Sequence, residues 1–295
     1  MSDSTASLRR KIDSAGDLQS VVRTMKAMAA SNISQYEQAV RALGDYTRSV
    51  ELGLSVCFRQ SVTAAPSGDG NGQPRPSFID AIVFGSDQGL VGRFNDTVAD
   101  DALNALAGMP GQHRVWAVGE RVHARLTDAG LPLTGVFAVP NSVRGITALI
   151  GRMLVDYDNR HSRGEVTELH LFYNRPTSRA GYAPVSQRLL PLDATWQREL
   201  AALPWPSGNL PEVIGETTAT LRALIREYLF ISLFRACAES LSSENASRLA
   251  AMQRADKNID DLQEDLNSAF HRLRQSGIDE ELFDVIAGFE ALNNA

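Results

Sequence analysis

Apolar and small residues recur every three or four positions through both ends of the chain. In residues 4–58 these steps average about 3.5 residues, the heptad period of a left-handed coiled coil. No proline interrupts this stretch. A single helix over it would measure about 80 Å, more than a compact domain of this size requires. The predicted seam consists of Leu8, Ile12, Ala15, Leu18, Val22, Met25, Ala29, Ile33, Tyr36, Val40, Leu43, Tyr46, Val50, Leu54 and Cys57.

The same period returns in residues 210–288, where the predicted seam runs from Ile214 through Leu262 to Leu273. The simplest way to bury both stripes is to pair the two helices. Because the chain leaves through one and returns through the other, the pair would be antiparallel; helices pairing between two chains are the alternative. Small seam residues, as in "KAMAASN" and "NASRLAAM", bury little area. We therefore expect this coil to need an outside partner and its tip to be poorly stable in the isolated chain.

Between the two helices the pattern changes to short apolar runs separated by helical stretches. The runs are rich in β-branched and aromatic residues, which predicts buried strands. This alternation predicts a parallel sheet with helices on its faces, a Rossmann-like α/β domain. The predicted strands are 78–85, 113–119, 135–140 and 165–174, with 185–192 at an edge, and the helices are 95–107, 119–129 and 143–161. The segment 193–211 is expected to run irregularly.

These patterns divide the chain into four parts. The loop is inferred from "AAPSGDGNGQPRPS", which is dominated by proline, glycine and serine. The parts are an N-terminal coiled-coil helix (1–60), a flexible loop (61–77), an α/β domain (78–209) and a C-terminal coiled-coil helix (210–295). The predicted fold class is α/β plus a long antiparallel coiled coil.

Composition and motifs argue against a catalytic, metal-binding, nucleotide-binding or nucleic-acid-binding site in this chain. The net charge of −6 does not favour nucleic-acid binding, and the five histidines show no metal-binding spacing. The segment "GSDQGLVGRFN" follows a strand but lacks the GK[ST] of a phosphate loop. We interpret it as a strand-to-helix turn, with glycine for positive φ and with Asn95 or Asp96 capping the helix. We expect no catalytic residue, cofactor, metal, nucleic-acid partner or small-molecule substrate.

Five sequence words carry a resemblance to a known family. "LRRKIDS" and "MKAMAAS" lie near the N-terminus, "SDQGLVGRFN" follows the first strand, and "SENASRLAAMQRADKNIDDL" and "RLRQSGIDEELFDVIAGFEAL" lie near the C-terminus. Together they resemble the gamma subunit of F-type ATP synthases over nearly the whole chain. Departures from the family pattern, Asp256 in place of a hydroxyl residue among them, are typical of a divergent copy such as an alternate bacterial F-type ATPase.

The resemblance implies a non-catalytic rotor subunit. In that family the paired helices fill the centre of the ring of alpha and beta subunits, and the α/β domain contacts the epsilon subunit and the membrane c-ring. Rotation then couples proton or sodium flow to ATP synthesis or hydrolysis. The implied location is peripheral, on the cytoplasmic face of the bacterial plasma membrane.

The resemblance also assigns residues. Met25 would face the neck of the beta subunits, and Arg274 and Gln275 would make a polar contact with them. The predicted partner-contact residues are Met25, Arg248, Met252, Arg274, Gln275 and Glu281. Two alternatives stay open from the residues alone: a free-standing coiled-coil adaptor with an α/β interaction domain, and an enzyme with its site in the middle domain.

Overall fold

The fold consists of five strands and six helices within the described residues of a computed structural model. The structure describes residues 4–62, 78–161, 168–177, 181–209 and 211–293. The elements are α1 (Thr5–Val62), β1 (Phe78–Phe84), α2 (Phe94–Ala107), β2 (Gln112–Val118), α3 (Glu120–Asp128), β3 (Leu133–Phe137), α4 (Val143–His161), β4 (Glu168–Thr177), β5 (Gly181–Leu190), α5 (Ala194–Ala201) and α6 (Thr217–Asn293). The predicted loop at 61–77 lies outside the described residues, except for the end of α1.

The chain forms two compact units, and each long helix contributes residues to both. Unit 1 comprises Met1–Ala29 and Leu249–Ala295. Unit 2 comprises Ala30–Arg248 and holds the whole sheet.

Unit 2 is built on one five-stranded sheet with the order β3-β2-β1-β4-β5. Strands β1 to β4 are parallel and β5 is antiparallel to β4. The predicted Rossmann-like parallel sheet and the predicted edge strand are therefore both confirmed.

The central strand β1 is apolar on both faces because each face supports a separate core. Ile82 and Phe84 point to the face covered by α4 and by the parts of α1 and α6 in this unit. Ala81 and Val83 point to the face covered by α2 and α3. A strand buried on both sides is expected to be almost continuously apolar, and "FIDAIVF" is apolar except for Asp80. The buried Asp80 carboxylate pairs with Arg114, whose Nε lies 2.8 Å from Asp80 Oδ1.

The segment 193–211 was expected to be irregular, and that prediction is wrong for its first part. Asp193 caps helix α5, and its carboxylate accepts a hydrogen bond from the amide of Thr195 at 2.8 Å. Trp196 of α5 packs against Tyr228 of α6, with ring centroids 4.7 Å apart. Side-chain packing stabilises a helix that is too short to show a clear period in sequence.

The prediction that Asn95 or Asp96 caps α2 is also wrong. The N-cap residue is Arg93, whose side chain makes no capping hydrogen bond within the described chain. The Asn95 side chain instead bonds both the amide and the hydroxyl of Ser86. Positive φ occurs at Gly92, as expected of a glycine in this turn, and also at Leu90 with φ 63°.

In unit 2 the two long helices run antiparallel against each other. Asn32 donates to Asn245 at 3.3 Å, and the Tyr46 hydroxyl lies 2.5 Å from the Glu227 carboxylate. Tyr36 is buried within the same core that covers the sheet. The partner number on α6 falls as the number on α1 rises, which confirms the predicted antiparallel direction.

The predicted seam is wrong at four exposed positions, which are Leu18, Tyr46, Ile214 and Leu262. Ile214 is 95% exposed and precedes α6, which begins at Thr217. In unit 1, Gln19 is buried where Leu18 was expected, and Gln263 lies 3.7 Å from the position that a Cβ on Gly16 would take. Polar side chains occupy these facing positions. A prediction that assigns the nearest apolar residue to the seam therefore selects a neighbour that lies on the exposed side of the helix.

Candidate partner-contact site

The helix pair of unit 1 is joined by a short ladder of polar contacts. Lys26 Nζ lies 2.6 Å from Asp256 Oδ2, and Arg23 Nε lies 3.3 Å from Asp256 Oδ1. The Gln19 amide donates to Asp260 Oδ1, one turn further along α6. Arg23 also reaches to within 3.8 Å of Asp260. The partner number on α6 falls as the number on α1 rises, so the two helices are antiparallel in this unit too.

Few residues of unit 1 are buried, and several of them are small or polar. Among its described residues, those that are buried are Leu8, Ala15, Gln19, Ala29 and Met252. Only the leucine and the methionine are large apolar side chains. Apolar burial therefore contributes little to holding these helices together, since its free energy scales with buried apolar area.

Asp256 is the most enclosed charge of the ladder, with its side chain 14% exposed. The hydrogen bond from Lys26 is the main cause that lowers the pKa of Asp256, with Arg23 acting in the same direction and desolvation acting against both. The carboxylate is therefore ionised at neutral pH. The ion pair would be lost only as the pH falls through that lowered pKa.

An apolar stripe of α1 lies on its outer side. Leu18, Val21 and Met28 are 57–61% exposed, and the predicted contact residue Met25 is half-buried on the same stripe. Their spacing of three, four and three residues places them on one helix face. A stripe of this kind on a helix with so little core is typical of a surface that another protein covers.

The last part of α6 presents a second exposed surface. Arg274, Gln275 and Glu281 are all exposed, as a partner-contact role requires. They are interleaved with exposed apolar residues: Ile278, Leu282, Phe283, Val285 and Ile286.

Met252 and Arg248 occupy enclosed positions. Met252 is 3% exposed within unit 1. In unit 2, Arg248 Nη2 lies 2.7 Å from Glu244 Oε1, and the two side chains are 13% and 6% exposed. Burial raises the pKa of Glu244, while the charge and hydrogen bond of Arg248 oppose that rise. This arrangement gives Arg248 an internal partner, and its contact with another subunit stays a prediction.

The turn between β1 and α2 uses its polar groups to join elements of unit 2. The Asp87 carboxylate accepts hydrogen bonds from the amides of Glu120 and Val139, at 3.0 and 2.9 Å. The Ser247 hydroxyl of α6 donates to the carbonyl oxygen of Val91 at 2.5 Å. These contacts make the turn a brace between the sheet and α6, in agreement with its interpretation as a turn.

Sequence reasoning singled out Asp256 as unusual but missed its partners. The available signal was the pairing of two cations three residues apart, Arg23 and Lys26, with two carboxylates four residues apart, Asp256 and Asp260. Such spacings place each pair on one helix face. The interhelical register needed to match the two pairs came only from the structure.

Two long helices pair antiparallel, and a mostly parallel sheet is inserted between them in the sequence. Comparison with known proteins shows which class of protein has this combination. The family model described as ATP synthase matches residues 4–292. The ATP synthase gamma chain of Parafrankia sp. is 27% identical, with 96% of both chains covered. That of Pseudarthrobacter chlorophenolicus is 30% identical, covering 96% of this chain and 97% of the relative.

The fold likewise resembles a solved rotor structure. A chain from the cryo-EM structure of the Euglena gracilis mitochondrial ATP synthase rotor, in rotational state 1, matches with a TM-score of 0.60 at 14% identity. The match covers 93% of this chain and 98% of the other. The chain belongs to the ATP synthase gamma chain family.

Proposed function

We propose that this chain is the central-stalk rotor subunit of a bacterial F-type ATP synthase. It transmits rotation between the ion-conducting membrane sector and the catalytic head, in the direction of ATP synthesis or hydrolysis. The chain has no catalytic role of its own in this proposal: it changes the state of nucleotide sites that other subunits carry.

The observation that carries the proposal is the helix pair of unit 1, with its sparse core and its exposed apolar surfaces. Two helices with so few buried apolar side chains gain little from each other, so a surrounding partner must cover the exposed stripes. A shaft enclosed by a ring of subunits meets this requirement, and family membership supports that assignment.

The proposed partners follow from the two exposed surfaces and the sheet. The α1 stripe around Met25 contacts the beta subunits, and Arg274, Gln275 and Glu281 make polar contacts with the same head. Arg248 and Met252 are proposed to influence these contacts from enclosed positions. The α/β domain contacts the epsilon subunit and the membrane c-ring.

The proposed location is peripheral, on the cytoplasmic face of the plasma membrane. Among the described helices, none combines the length and apolarity needed to cross a membrane. A peripheral subunit would be held there through its partners. The membrane subunits determine whether protons or sodium ions drive the rotation.

Copurification tests the proposal directly. The chain is coexpressed with the alpha and beta subunits of an F-type ATP synthase from the same organism, and a tag on the beta subunit is used for purification. We expect the chain to be recovered in one complex with ATPase activity. If it stays in the unbound fraction while alpha and beta assemble without it, the rotor assignment is wrong.

A matched pair of variants tests the exposed surface of α6. Phe283→Asp places a charge where a 69% exposed aromatic ring would be covered by the head. Asp284→Asn changes the charge of the next, exposed residue and serves as the control. We expect only the first to reduce recovery of the complex, and equal recovery of both would place the contact surface elsewhere.

A further inference from the structure

We propose that Asp256 is a positioning residue that holds α1 at one rotational setting against α6. Through Lys26 and Arg23 it fixes the direction in which the Met25 stripe faces the beta subunits. The inference rests on the proposed rotor function and adds a determinant of how efficiently rotation is coupled.

The polar ladder and the apolar stripe lie on different sides of the same helix. Gln19, Arg23 and Lys26 follow one another at steps of four and three residues, so they share the face that meets α6. At about 100° per residue, the stripe of Met25 and Met28 lies roughly 155° around the helix from that face. A rotation of α1 about its axis would therefore swing the stripe away from its partner.

Apolar packing alone would define this rotation poorly. Ala15 and Ala29 are buried seam residues of α1 in unit 1, and alanine side chains are too small to interlock deeply with a facing helix. The larger side chains that reach across are polar or charged. Opposite charges at such flanking positions set register and orientation in coiled coils.

Asp256 is the centre of the ladder because two cations converge on it. Lys26 makes the shorter contact, at 2.6 Å, and its side chain is less exposed than that of Arg23. Both cations lie within one turn of Met25, on either side of it in sequence. Removing the single carboxylate would therefore release two successive anchors of the segment that carries Met25.

The test uses the assembled ATP synthase in sealed vesicles, with ATP-driven ion uptake measured per ATP hydrolysed. Asp256→Asn keeps the shape of the side chain and removes its charge. We expect it to lower this ratio by about two- to fivefold, the range of equilibrium changes for a partly exposed ion pair. Asp261→Asn removes a charge from an exposed neighbour on α6 and is expected to leave the ratio unchanged.

A charge exchange separates the ion pair from other effects of the substitution. Asp256→Lys alone should lower the ratio further, because it places three cations together. Combining it with Lys26→Asp restores an opposite pair across the helices, and we expect most of the ratio to return. A merely local loss of helix stability at position 256 would not be repaired from α1.

A second variant tests whether Asp256 acts through the stripe. In a Met25→Ala background, Asp256→Asn should have little additional effect on the ratio, since the group being positioned is already missing. Two full and independent losses would overturn the inference, as would an unchanged ratio for Asp256→Asn or failure of the charge exchange. These outcomes would not affect the rotor assignment, provided that the wild-type chain assembles into a complex that pumps ions. Absence of the wild-type chain from the complex would instead refute the rotor assignment itself.

Discussion

Replacing Arg248 with methionine should strongly destabilise unit 2. The substitution keeps an extended side chain of similar length but removes the partner of Glu244, which is 6% exposed. A carboxylate left in that position would have to stay charged without its ion pair or take up a proton. Either outcome raises the free energy of the folded state.

The expected loss is about 3 kcal/mol in the free energy of unfolding. Breaking a buried pair by removing one partner costs about 3–5 kcal/mol, and the low end applies because the Arg248 side chain is 13% exposed, so water has some access. A loss of about 3 kcal/mol corresponds to more than a hundredfold change in the folding equilibrium.

The loss should depend on pH in a defined direction. Burial raises the pKa of folded Glu244, and removing the opposing influence of Arg248 raises it further. A carboxyl group with a raised folded pKa binds protons more tightly in the folded state, so lowering the pH favours folding. The cost of Arg248→Met should therefore be greatest above the folded pKa and shrink as the pH falls toward the ordinary value of 4.5.

Urea unfolding followed by tryptophan fluorescence measures the loss in the free energy of unfolding of unit 2. The three tryptophans of the chain all lie within residues 30–248, which form unit 2. Arg222→Met, an exposed substitution on the same helix, is the control and should cost little. The double variant Glu244→Gln with Arg248→Met should recover most of the loss, because no charge is left buried alone.

Equal stabilities of Arg248→Met and Arg222→Met would refute this reasoning. So would a double variant that is no more stable than Arg248→Met, since the damage could not then come from the unpaired carboxylate. Either result would favour a role of Arg248 in contacting another subunit over a role in stabilising unit 2.

Two further predictions concern packing within unit 2. Gly119→Ala should lower the free energy of unfolding by about 2 kcal/mol or more, because φ is 116° and the added Cβ would lie 2.6 Å from a backbone oxygen. In the same urea assay Gly151→Ala, on α4 with open space around it, should raise the free energy of unfolding by up to about 1 kcal/mol; a similar loss for both would contradict the steric argument. Cys57 and Cys237 are buried and their thiol pKa values are raised by burial, so a thiol reagent at pH 8 should label neither until the chain unfolds, and rapid labelling of the folded protein would show that these sites open.

The long elements of the fold could be predicted because each has a period that repeats many times. The 3.5-residue period in α1 and α6 and the apolar runs of β1 to β4 extend over enough residues to outweigh local exceptions. Helix α5 has only eight residues, so its packing through Trp196 left no comparable periodic signal. The capping of α2 was mispredicted because Asn95 bonds Ser86, a choice set by tertiary contact.

The candidate site was less predictable than the fold, since its chemistry depends on which residues meet across helices. The exposure of Arg274 and Gln275 agrees with the role implied by the resemblance. The enclosure of Arg248 could not be read from its i, i+4 spacing to Glu244, because the same spacing is common on solvated helix faces. Likewise, the charges around Asp256 became a cluster only when the register of the two helices was known.

The sparse core of unit 1 has a consequence for how a cell matches the numbers of different subunits. Segments with few buried apolar contacts open locally at low free-energy cost, and open helices are good substrates for proteases. A surplus copy would therefore be degraded from its uncovered helix ends, while a copy enclosed by partners would be protected. Subunit stoichiometry would then be corrected after synthesis, with the protein's own local instability marking the copies to be removed.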